Sequence, residues 1–178
     1  ITGIQRRRMQ TLLDANLSLY ASHLPLDLHP EVGNNATLAR WLQLGNVSPF
    51  GYDKGQSLGV EGRLPEALAL GAFISYVEES LGESIVQAWA FGPALVRRVG
   101  IVSGDAAFLV EEAARSGLDV YLTGELSHIA YHQAQEWGLN VVFGGHYATE
   151  TAGLKALAGH INTHLDLETT FIDLPTGA

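Results

Sequence analysis

Asp119 to Glu150 reads DVYLTGELSHIAYHQAQEWGLNVVFGGHYATE. It holds two short apolar runs, residues 120–123 and 140–143. Neither alternates polar with apolar, as expected of strands buried on both faces. Between them, residues 127–137 have a helix former's composition and end before Gly138. The same rhythm continues on both sides, with helices over 106–116 and 148–160 and strands over 85–90, 97–102 and 169–172. Strands alternating with helices of about ten residues indicate α/β units around a mixed, largely parallel sheet.

Working back toward the start, residues 3–15 carry Ile4, Met9, Leu12 and Leu13 at near-helical spacing and predict an amphipathic helix. Residues 17–21 predict a short strand, ending in irregular backbone where Pro25 and Pro30 lack an N–H for a ladder. Asn34 and Asn35 are candidate caps for a helix reaching about Leu44. Residues 45–63 are rich in turn formers, with one strand expected over 47–52. Pro65 suits the first turn of a helix that Gly82 ends. No short-period repeat or low-complexity tract interrupts the chain.

The 178 residues include 19 acidic and 10 basic side chains, a net charge of −9, and 47% of them are hydrophobic. That acidic balance disfavours nucleic acid and anionic membranes as partners. Cysteine is absent, so disulfides, zinc fingers and iron–sulfur clusters are excluded and a reducing cytoplasm is expected. The longest uncharged run, residues 84–96, is too short to span a bilayer. No signal peptide is visible, since Ile1 opens a polar, arginine-rich segment, and because a natural start would supply methionine, Ile1 reads as an internal position.

Three strand ends offer oxygen or imidazole donors. Gly144-Gly145-His146 leads into a helix on which His146 and Glu150, four residues apart, share one face and can ligate one divalent ion. The alternative is a capped helix start with a favourably placed acid. Asp27 lies in a loop between His23 and His29, either as a ligand or as a turn residue. Glu125 follows Gly124, with His128 close by; it is either a general base beside a metal or a solvated loop acid. Such donors suit Zn, Fe, Mn or Mg ions, whose bound water becomes a nucleophile. The arginines at 6–8 and 97–98 read as solvated or edge charges, and His132, His160 and His164 as ordinary helix residues. No serine-hydrolase elbow, Walker loop or dinucleotide fingerprint occurs.

Taken in order, Leu19-Tyr20-Ala21-Ser22-His23-Leu24-Pro25-Leu26-Asp27, Gly33-Asn34-Asn35, Tyr121-Leu122-Thr123-Gly124-Glu125 and Gly144-Gly145-His146-Tyr147-Ala148-Thr149-Glu150 resemble the Nif-three-like family, whose members are often catalogued as GTP cyclohydrolase 1 type 2 homologues. The resemblance runs through nearly the whole chain. It implies a two-lobed layered α/β fold, with residues 1–48 and 146–178 in a metal-binding lobe and 49–145 in a second. It also implies two divalent metal ions in the complete protein and a ring-shaped homohexamer. Asp27, His146 and Glu150 are then metal ligands, and Glu125 and His128 lie beside the metals as catalytic or substrate-facing groups. His23 matches a family position but not a ligand. The family's His-His-Gly motif is absent, and a segment holding it is expected to precede Ile1. The implied activity is metal-dependent hydrolysis of a nucleotide-like small molecule; a non-catalytic metal-binding adaptor or assembly protein is the alternative.

Overall fold

The computed structural model describes residues 1–177; Ala178, the last residue of the expected first lobe, lies outside them. The chain order is α1 (Gly3–Asp14), α2 (Leu24–Asp27), α3 (Asn34–Trp41), β1 (Gly45–Asp53), β2 (Gln56–Ala69), α4 (Leu70–Leu81), β3 (Gln87–Ala90) and β4 (Leu95–Val102). A 3-10 turn (Ala107–Leu109) then runs into α5 (Val110–Arg115), followed by β5 (Val120–Thr123), α6 (His128–Trp137), β6 (Asn140–Phe143) and α7 (His146–His164). Six strands form one mixed sheet in the order β1-β2-β4-β5-β6-β3. β4, β5 and β6 run parallel, whereas the β1–β2 hairpin and β3 join antiparallel.

The buried side chains explain this arrangement. Every residue of β5 is 0% exposed, because helices cover both faces of the parallel part. On one face Val120, Leu122 and Val142 pack with Leu38 of α3, Phe73 and Val77 of α4, and Ala152 of α7. On the other, Tyr121, Val141 and Phe143 pack with Val110 and Ala113 of α5 and with Ala130 and Ala134 of α6. Each large side chain buried this way contributes about 1.5–3 kcal/mol. The ends of β4, β5 and β6 that carry their carboxyl termini therefore lie side by side, where open α/β sheets hold their ligands.

Several local expectations change. Residues 17–21 form no strand and are exposed throughout, with no neighbouring strand to pair with. Residues 169–172 likewise carry no strand. Pro65 does not open a helix: β2 continues through it to Ala69, and α4 begins at Leu70. The β2–β4 register shifts between Arg63 and Leu68, so the proline occupies an irregularity where the ladder does not need its N–H. The turn-rich segment before it contains most of a two-stranded hairpin rather than a single short strand. Pro25 sits in the first turn of α2 rather than in irregular backbone. Finally, α7 starts two residues earlier than expected, at His146.

Candidate metal centre

α2 is a single turn whose last residue is Asp27. Its carboxylate is half-buried, and Oδ1 accepts a hydrogen bond of 2.6 Å from Nδ2 of Asn34. The amide oxygen of Asn34 in turn accepts the backbone N–H of Gly153, inside α7, at 2.6 Å. One asparagine side chain, 3% exposed, thus joins the loop carrying Asp27 to the helix carrying Glu150. Across the gap His23 Nε2 stands 3.6 Å from Asp27 Oδ2. Donor atoms of His23, Asp27 and Glu150 all lie within 4.8 Å of one another.

The three strand ends are tied together by their own backbone. The carbonyl of Gly104, after β4, accepts the N–H groups of Gly124 and Glu125, each at 3.0 Å, and Gly145 N–H reaches the Gly124 carbonyl at 3.1 Å. Thr149 Oγ1 receives the Gly104 N–H at 3.1 Å, fixing α7 to the β4 loop. Two glycines are required here. Gly145 has φ +87, a conformation costly for other residues, and it lets α7 begin directly at His146. Gly104 has φ +69, in the same left-handed region, and a Cβ there would also displace the Glu150 carboxylate.

His146 and Glu150, one turn apart on α7, approach to 3.2 Å between Nε2 and Oε1. The other ring nitrogen, Nδ1, is hydrogen-bonded to the Glu125 carboxylate. The imidazole therefore lies between two carboxylates. Partial burial disfavours its charged form, but the Glu125 hydrogen bond and the fields of Glu150, Glu125 and Asp105 outweigh this and raise its pKa. The Glu150 carboxyl is also held above its ordinary value, first by burial and, against the pull of His146, by the negative field of Asp27.

A cavity of about 180 Å³ collects these groups, lined by His23, Asp27, Asp105, His146 and Glu150 among others. Asp27, His146 and Glu150 all line this cavity, with Glu125 hydrogen-bonded behind His146, but the close donor group joins Asp27 and Glu150 to His23 rather than to His146. His128 is not brought to the cavity: exposed at the start of α6, its ring packs edge-on to His132 with centroids 5.5 Å apart. Two members were not anticipated as donors. His23 joins because α2 turns it toward Asp27, four residues on. Asp105 follows Ser103-Gly104 at the end of β4, and the same glycine-then-acid pattern as Gly124-Glu125 marks it in the sequence.

Two carboxylates with one or two imidazoles at this spacing fit a divalent ion, with nitrogen and oxygen ligands and no sulfur. Among the described residues no helix is long and apolar enough to cross a membrane.

The chain is similar to proteins named "GTP cyclohydrolase 1 type 2 homolog". That of Deinococcus radiodurans is 45% identical over 177 residues, covering 99% of this chain and 67% of the relative. That of Archaeoglobus fulgidus is 43% identical over 176 residues, covering 99% and 69%. Among solved structures, a Thermus thermophilus protein superposes with a TM-score of 0.87 at 38% identity, over 100% of this chain and 69% of that one. Reduced HcgD from Methanocaldococcus jannaschii gives 0.80 at 29% identity, over 94% and 65%. With its strand-end donors brought to one cavity and residues 1–177 matching the model described as Duf34/NIF3 (NGG1p interacting factor 3), the chain belongs to that family.

Proposed function

We propose that the chain carries a divalent-metal centre of a hydrolase that acts on a nucleotide-like small molecule through activated water. The observation that carries this reading is the meeting of Asp27, from α2, with His146 and Glu150, from α7, in one cavity. Asp27, His146 and Glu150 are the ligands, and His23 is a fourth donor. Zn, Fe, Mn and Mg all suit this set. The family resemblance supports two ions in the full-length protein and a cytoplasmic homohexamer. A divalent ion bound by such groups lowers the pKa of water toward neutrality and so supplies a nucleophile.

The chain's own residues do the rest. Glu125 accepts the Nδ1 proton of His146, which selects the tautomer whose Nε2 lone pair faces the cavity. Asn34 holds one oxygen of Asp27, leaving the other toward His23. Glu125, 42% exposed at its side chain, is also the group able to pass a proton to solvent. The relatives' name supports ring-opening hydrolysis of a purine nucleotide as the reaction class.

The test uses the full-length protein loaded with Mn²⁺ or Zn²⁺. Asp27→Asn should lower metal affinity by about tenfold or more, read by calorimetry and elemental analysis. Glu125→Gln should keep the metal while hydrolysis of a nucleotide panel collapses. Metal content indifferent to Asp27 would overturn the centre; full metal with no turnover of any substrate would leave the adaptor role.

A further inference from the structure

The donor cavity has a neighbour. A second cleft of about 370 Å³ lies between the loop after α2 and the β1–β2 hairpin. The two share Asp27, Leu28, Asn35 and Leu58, so they adjoin along one rim. The donor cavity gathers its acids and imidazoles among Leu24, Leu58 and Val102, whereas the cleft is walled by Pro30, Ala36, Val47, Pro49 and Val60, with Asp27, His29, Ser48 and Ser57 as its polar points.

The rim is built rigidly. Asn35 is 2% exposed, and both ends of its amide are committed. Its Nδ2 donates to the Leu58 carbonyl of β2 at 2.8 Å, and its Oδ1 accepts the Ser103 N–H after β4 at 2.8 Å. Helix α3, the hairpin and the parallel sheet therefore meet at one buried side chain. This fixes the cleft's position relative to Asp27 before any ligand arrives.

Among the described residues, no lysine or arginine lines either chamber. Phosphate groups are commonly held by such side chains, so the walls of the cleft offer a phosphate little, while their aliphatic side chains suit an apolar group. An apolar cleft of this volume beside a few polar groups is the usual form of a small-molecule site. We propose that the cleft is a substrate subsite that takes an apolar ring, with the reacting polar end of the same molecule directed over Asp27 into the donor cavity. The inference rests on the metal-centre reading and names a part of the substrate that the protein's own side chains grip: the ring.

Two probes with the same metal-seeking head separate the chambers. Acetohydroxamic acid fills only the donor cavity, whereas benzohydroxamic acid adds a phenyl ring. In calorimetry on the full-length protein saturated with Zn²⁺, the phenyl probe should bind tighter by about tenfold or more. Ala36→Phe, which fills the cleft from α3, should remove that advantage and leave acetohydroxamic acid unchanged. Val47→Asp, at a half-exposed strand position tolerant of charge, should do the same if the larger residue disturbs packing. Equal affinity of the two probes in the unmodified protein would overturn the ring subsite while leaving the metal centre standing. A phenyl advantage that survives both substitutions would also overturn it. Binding of neither probe would overturn the metal centre and the subsite together.

Discussion

Asn34 touches no cavity donor except Asp27, yet it sets where that donor stands. Its amide, on a residue 3% exposed, spans Asp27 Oδ1 and Gly153 N–H, both at 2.6 Å. Asn34→Ala would leave a buried carboxylate oxygen and a buried helix N–H to find water, at a cost of about 1–3 kcal/mol. It would also free Asp27 to rotate. Zn²⁺ affinity should then fall by about 10–100-fold, read by calorimetry, with the circular dichroism spectrum retained. Asn34→Asp, which keeps the shape but places a second carboxylate against Asp27, should not restore it; unchanged affinity in both variants would remove the positioning role. Of the candidate donors, His146 is legible because it follows two glycines at the end of β6, and Glu150 because it lies one helical turn later; Asp27 stands out only as an acid between two histidines. His23 is not legible as a donor, because a histidine four residues before an aspartate gains meaning only when a one-turn helix joins them. Asp105 is masked locally because the helical composition of residues 106–116 begins directly after it. Asn34 has the local pattern of a cap but is the first residue of α3, behind Gly33, and nothing local announces a partner as distant as Gly153.

At the scale of elements, legibility followed the range of the forces involved. β5, α6 and β6 announce themselves because an unbroken apolar run and a helical period are properties of a few neighbouring residues. The course of β2 through Pro65 depends instead on β4, whose edge offers Leu95 and Val96 to Ala69 and Leu68 beyond the irregularity. Residues 17–21 and 169–172 have strand-like composition, but no strand lies beside them, and composition alone forms no ladder. α1 is the converse case. Its helical period is legible, yet it buries no residue, and Ile4, Met9 and Leu13 are all exposed. A helix of 12 residues without packing is marginal in water. Hydrogen exchange should therefore divide the molecule. Amides of α1 should exchange within about tenfold of unstructured peptide rates, and those of β5 and β6 only on global unfolding. Protection of α1 equal to that of β5 would show that a partner covers its apolar face in solution.

For the molecule as a whole, the mixed sheet puts a phenol at its centre. Tyr121 is 0% exposed, packs edge-on against Phe50 at 5.9 Å, and donates its hydroxyl proton to the Ala106 carbonyl at 2.8 Å. Burial, above all, raises its pKa far beyond the ordinary tyrosine value, with Thr123 opposing and Glu112 and Asp105 adding to the shift. The sign follows from counting protons. Below about pH 10 the phenol is protonated whether the chain is folded or unfolded, so it adds no pH dependence. Above that, the unfolded chain releases the proton and the folded chain keeps it. Stability should then fall with rising pH by about 1.4 kcal/mol per unit from this group alone, on a chain already carrying a net charge of −9. Tyr121→Phe loses the bond to Ala106 and should be less stable by about 1 kcal/mol near neutrality. Because phenylalanine has no proton to lose, its stability curve should decline less steeply above pH 10 and approach that of the unmodified protein. Urea midpoints measured from about pH 8 to 11 test this: two curves that stay parallel would mean that Tyr121 ionises in the folded state, and that the centre of the sheet admits water.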